Sequence, residues 1–165
     1  MGMDSAGQQV NDTGTAGVIA RPPLLFLAAL LLGLVCDRLL PWPFAVQGTL
    51  VHWMTAGSTI LVGLVLAAAG IRSFSRAATA VPTNKPTRAL VTTGIHGWTR
   101  NPIYLGMFLV YAGIGIAAGS PWILILTVPV AIAIRYGVVA REEAYLERRF
   151  GDAYRDYKVR VRRWL

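Results

Sequence analysis

PIYLGMFLVYAGIGIAAGSPWILILTVPVAIAIRYGVV, residues 102–139, decides the fold. No charged residue occurs in it before Arg135, and Gly119-Ser120-Pro121 breaks it once. The two halves, 102–118 and 121–139, are 17 and 19 residues long. A membrane span needs about 20 residues, within a range of about 17–25. In hydrocarbon each half must be helical, because every backbone polar group needs a partner within its own segment. A three-residue break leaves no room for anything but a tight turn, so the two helices form an antiparallel hairpin. Small residues at Gly106, Ala112, Gly113 and Ala117 suit close helix packing.

Two further apolar runs lie upstream, at about 22–40 and 50–71. The expected fold class is therefore all-α: an integral membrane bundle of about four transmembrane helices with a C-terminal interfacial tail. Composition agrees. The chain is 55% hydrophobic and 15% charged over 165 residues, with a mean hydropathy of +0.51. Soluble domains are about 45–50% apolar and about 25% charged. The length suits one domain. Residues 1–20, small and polar, read as a disordered tail without a signal-peptide pattern, and 21–165 as a single membrane domain.

The net charge of +8 would point to nucleic acid in a soluble protein. Here the basic residues flank apolar runs, so the bilayer is the expected partner and nucleic acid is not. The 72–101 loop holds Arg72, Arg76, Lys85, Arg88 and Arg100 and no acidic residue. The tail from Arg135 onward holds nine basic and five acidic residues. The positive-inside rule places both, and the N-terminus, on the cytoplasmic side of a plasma or inner membrane. Cys36 is the lone cysteine and reads as a packed or lipid-facing residue. His52 reads as an interfacial residue at the opposite membrane face. No metal site is expected from two histidines on opposite faces.

The 72–101 loop, punctuated by Pro82, Pro86 and Gly94, is long enough to suggest a lid. The tail 140–165 is too charged to span. It reads as a continuation of the fourth helix, stopped at Gly151. A short helix follows with Tyr154 and Tyr157 on one side, then Trp164 as an interfacial anchor.

Two stretches could carry chemistry. Asn101-Pro102 reads as a helix start, Asn as N-cap and Pro at N1. With Arg100 beside it, the helix N-terminus reads as an anion site. Arg141-Glu142-Glu143 follows the fourth helix. Adjacent helical residues point about 100° apart, so one carboxylate can meet a ligand while the other pairs with a basic neighbour. Glu142 lies seven residues after Arg135 and so shares its face. The hairpin returns both stretches to one membrane face, which brings Arg100, Asn101 and Tyr104 near Arg135, Glu142 and Glu143. His96 reads as a further ligand contact, a general base or a plain loop histidine.

GIHGWTRNPIYLG, residues 94–106, resembles the Arg-His-Pro-x-Tyr-x-Gly type motif of integral-membrane methyltransferases. REEAYLERRFGDAYRDY, residues 141–157, resembles the second motif of the same family. The family is that of isoprenylcysteine carboxyl methyltransferases and phospholipid methyltransferases, and the likeness covers about residues 60–165. The resemblance implies S-adenosylmethionine as cofactor, held by His96, Arg100, Asn101, Pro102, Tyr104, Leu105, Glu142 and Glu143. It implies Arg135, Glu142 and Tyr104 as catalytic residues, no metal, and a lipophilic or lipidated acceptor. Asn101 stands where many family members have His, and Asn cannot titrate. A competing resemblance is to membrane sterol reductases, which bind NADPH at a similar Arg-x-Pro-x-Tyr-x-Gly segment. A catalytically silent member of the fold is the third reading.

Overall fold

The computed structural model describes residues 16–42, 47–81 and 86–165. Pro82 and Lys85 of the basic loop, and residues 1–15 of the N-terminal tail, lie outside them. The described residues are helices joined by turns, with no strand among them. Helix α1 spans Pro22–Leu39, α2 Leu50–Arg76, α3 Pro102–Ala118 and α4 Pro121–Ile134. After a π-helical turn, Arg135–Val139, come α5, Ala140–Phe150, and α6, Asp152–Arg160.

Local chemistry explains the boundaries. Proline opens α1, α3 and α4, where its missing N–H costs nothing. Thr49 caps α2 by accepting from the His52 N–H at 3.1 Å. Ser120 caps α4 by accepting from the Ile123 N–H at 3.1 Å. Gly119 ends α3 at φ 61°. The Ser120 N–H reaches Gly115 O at 3.0 Å and the Gly119 N–H reaches Ile116 O at 2.8 Å, the paired bonds of a Schellman turn. The expected hairpin is thus present.

Three helices are long and apolar enough to cross a membrane: α1, α2, and the continuous run Pro121–Phe150. The apolar α3 has 17 residues, at the short limit for a span. Helix α2 continues to Arg76, beyond the expected end near 71. At 27 residues it is about 40 Å long and outreaches a hydrocarbon core of about 30 Å. Its last turns carry Ser73, Phe74 and Ser75 out to the polar end.

The principal partner of α3 is α2 rather than α4. A Cβ on Gly106 would lie 2.5 Å from Gly63 O and 2.7 Å from Ala67 N. One on Gly113 would lie 2.5 Å from the Ile60 side chain. Backbones this close need residues without side chains. Helix α1 packs mainly on α4, through a core of Phe26, Ala29, Tyr111, Ile123 and Val130. His52 is buried, with Nε2 2.6 Å from Ile116 O at the α3 C-terminus.

Past α4 the helix widens for one π turn, and the Ala140 N–H bonds to Arg135 O. The chain before α1 covers this turn. The Ile19 N–H donates to Gly137 O at 3.2 Å, and Arg141 NH1 donates to Gly17 O at 2.8 Å. Gly137 has no room for a side chain because Ile19 fills that space. Gly151, at φ 54°, ends α5. Tyr154 and Tyr157 then lie buried on one side of α6, as its spacing implied.

Candidate functional site

A cleft lies at the polar end of the bundle, where α2 ends, α3 begins and α5 leaves the membrane-spanning run. Its walls are Phe74, Thr87, Ala89–Val91, His96, the first turn of α3, Glu142, Glu143, Leu146, Tyr154 and Tyr157. Its cavity volume is about 60 Å³, with further space open to solvent, so its walls lie close together.

The two carboxylates have different surroundings. Glu143 is the centre of a buried charge cluster. Arg163 grips it with two bonds, Nε to Oε1 at 3.0 Å and NH2 to Oε2 at 2.6 Å. Arg100 NH1 lies 3.0 Å from Oε1, with both side chains about 10% exposed. The pair is close but poorly aligned, so it is an ion pair rather than a hydrogen bond. Two cations on one carboxylate hold the start of α3, the start of α5 and the C-terminal segment together. The bond to Glu143 raises the Arg163 pKa further. Glu142 instead accepts from Tyr104 OH at 2.7 Å.

The C-terminal segment closes the structure beneath α3. The Arg100 N–H donates to Arg162 O at 3.0 Å. Asn101 Nδ2 and Thr99 Oγ1 both donate to Arg163 O, at 3.0 and 3.3 Å. Asn101 sits at the N-cap position of α3 but makes no side-chain cap there. The expected capping role is therefore corrected: its amide tethers the C-terminal segment. Ile103 and Tyr104, in the first turn of α3, both line the cleft.

His96 lies in a 3₁₀ turn, Gly94–Gly97, with its ring edge-on to Phe74 at 5.0 Å. It is 3% exposed, and its Nδ1 has no hydrogen-bond partner. Burial depresses its pKa to about 4, so the imidazole is neutral near pH 7. Its carbonyl accepts from Tyr157 OH at 2.7 Å. Burial raises the Tyr157 pKa to about 12. Burial, then the charge of Glu143, raises that of Tyr154. Both phenols stay protonated.

His96, Arg100, Asn101, Pro102, Tyr104, Glu142 and Glu143 all line this cleft. Two expected residues do not. Leu105 and Arg135 line a separate groove between α3 and α4. Leu105 follows Tyr104 by about 100° around α3, which turns it away. The π turn explains Arg135: widening the helix between 135 and 139 shifts the register that a seven-residue α-helical interval assumes. Arg100 is not a free anion receptor either, because Glu143 already holds it. Arg163 was not anticipated, whereas Thr87, Ala89, Leu90 and Val91 belong to the 72–101 loop that was expected to serve as a lid. Arg163 comes from the arginine-rich segment 160–163 and reaches Glu143 from a half-buried position.

A helical membrane bundle with a charged, partly closed cleft at one end defines the class of protein. The chain matches the family model of phospholipid methyltransferases over residues 51–153 and belongs to that family. An uncharacterized protein of Haemophilus influenzae is 38% identical over 63 residues, which are 38% of this chain and 100% of that protein. No solved structure matches the chain.

Proposed function

We propose that this protein transfers a methyl group from S-adenosylmethionine to a lipophilic acceptor at the cytoplasmic face of a membrane. One observation carries the reading. In a chain of the phospholipid methyltransferase family, one cleft joins Glu142, the buried His96 and the first turn of α3.

These residues fit the cofactor. Its carboxylate suits the N-terminal end of α3, where the helix dipole is positive. Its ammonium suits Glu142. His96 Nδ1, buried without a partner, can bond a polar group of the nucleoside, and the apolar edges of Phe74 and Leu146 can cover it. When bound, the cofactor supplies a sulfonium methyl that is open to in-line displacement and a neutral thioether leaving group.

The protein's own part is positioning and exclusion of water. The Arg100–Glu143–Arg163 cluster fixes the cleft walls. Tyr104 lines both this cleft and a second cavity between α1 and α2, bounded by Arg21, Pro23, Leu24, Ile71 and Met107. A lipophilic acceptor entering from the bilayer would arrive at Tyr104 along that cavity. An amine acceptor sheds a proton on methylation, and the Tyr104–Glu142 pair is placed to take it. A carboxylate acceptor needs no base. Asn101, which is bonded to Arg163 O and cannot titrate, takes no part in proton transfer.

The test is incubation of the reconstituted protein with methyl-labelled cofactor, total lipid extract and a prenylcysteine analogue. Label should enter the lipid phase, and Glu142→Gln should abolish most of it. Stabilisation by NADPH but not by S-adenosylhomocysteine would point to a reductase. Binding of S-adenosylhomocysteine without transfer to any lipid would mark a silent protein.

A further inference from the structure

The groove that holds Arg135 is separate from the proposed catalytic cleft. Along α4 it is lined by Thr127, Val128, Ala131, Ile132, Arg135 and Tyr136. Their steps of one and three residues form a single helical stripe. Leu105 and Phe108 of α3 make the facing wall, and Trp164 closes one end. Val128, Ile132 and Tyr136 are all more than half exposed, so the groove opens sideways toward the bilayer. Its volume is about 540 Å³. From Thr127 to Tyr136 it runs roughly 13 Å along the helix.

Its polarity is graded. The end at Thr127 and Val128 is essentially apolar. The other end has the Arg135 guanidinium 5.4 Å from the Tyr136 ring centre, with the Trp164 indole beside it. Among the described residues, no carboxylate pairs with Arg135. An interfacial cation with aromatic neighbours above an apolar trough complements a lipid with an anionic headgroup.

We propose that this groove binds an anionic phospholipid, with its phosphate on Arg135 and one acyl chain along α4. The bound lipid covers the apolar stripe and neutralises Arg135. It also braces Trp164, which packs on Phe108 at 6.1 Å and follows the arginine that grips Glu143. Lipid occupancy therefore supports the C-terminal segment.

The test is native mass spectrometry of the full chain, released from nanodiscs holding equal phosphatidylglycerol and phosphatidylcholine. The wild type should retain phosphatidylglycerol over phosphatidylcholine by on the order of tenfold. Arg135→Ala should remove that preference and Arg135→Lys should restore much of it. Ala131→Trp, which fills the trough and keeps the cation, should lose the lipid altogether. Each variant is first checked for a folded, monodisperse size-exclusion profile; Arg135→Gln replaces Arg135→Ala if that variant fails, and Ala131→Phe replaces Ala131→Trp. Equal retention of the two lipids would overturn the proposal. So would phosphatidylglycerol persisting in both Arg135→Ala and Ala131→Trp, or displacement of the lipid by a methyl-accepting lipid. None of these outcomes depends on methyl transfer, so the proposal can fail without the catalytic reading failing.

Discussion

Between α2 and α3 the chain is held by what is missing, whereas at the polar end it is held by what is charged. Gly63 and Gly106 let two backbones approach where lipid tails give no hydrophobic force between helices. A few turns away, Glu143 is buried between Arg100 and Arg163. A buried ion cluster adds little net stability over an apolar replacement, but losing one partner costs heavily. The first region therefore gives the bundle its closeness. The second makes the joint between α3, α5 and the C-terminus specific, and it is the region that can bind a polar ligand.

The most damaging change should be Gly106→Leu. Its side chain would meet the α2 backbone, which cannot swing aside, so the cost exceeds the usual ~1–3 kcal/mol of overpacking. Size-exclusion profiles in detergent should show no folded monomer. Gly57→Leu on the same α2 should be tolerated, because nothing lies within 4 Å of a Cβ there.

Next comes Glu143→Ala, which strands two cations. Breaking a buried pair costs about 3–5 kcal/mol, and partial exposure of Arg163 places this at the low end. A lowered melting temperature in nanodiscs, largely recovered by Glu143→Ala with Arg163→Met, would support the joint. An unchanged temperature in the single variant would break the contrast between the two regions.

A smaller effect belongs to pH. His96 has its pKa depressed by burial from 6.5 to about 4. The unfolded chain then binds more protons than the folded one between these values, so stability falls as pH drops from about 6.5 to 4. His96→Gln should flatten that part of a melting-temperature profile. Lys158→Ala should change least. The Lys158–Glu147 pair at 2.8 Å is solvent-accessible, and such pairs contribute little.

Much of the bundle was legible because hydrophobicity, helix-start prolines and Gly119 act locally. Residues 102–139 alone carry the hairpin. The pairing of α3 with α2 was not legible, because small residues show that helices meet but not which ones. The site was half legible. Asn101, Tyr104, Glu142 and Glu143 lie close to the helix ends that the hairpin brings together. Arg163 was hidden because it returns to Glu143 from twenty residues further along the chain, and it lies beyond the family match ending at 153. Arg135 was misplaced because nothing in RYGVV announces a π turn. Ile19 seated against Gly137 is a tertiary reason for it, which no periodicity displays.

The central claim is that the charged end of the bundle is a cofactor site in which Glu142 meets ligand while Glu143 holds structure. Calorimetric binding of S-adenosylhomocysteine to nanodisc-embedded wild type and Glu142→Gln tests it most directly. The wild type should bind. Glu142→Gln should bind at least about tenfold more weakly with its melting temperature unchanged. Folded wild type that fails to bind, or a Glu142→Gln variant that binds as well as wild type, would contradict the account.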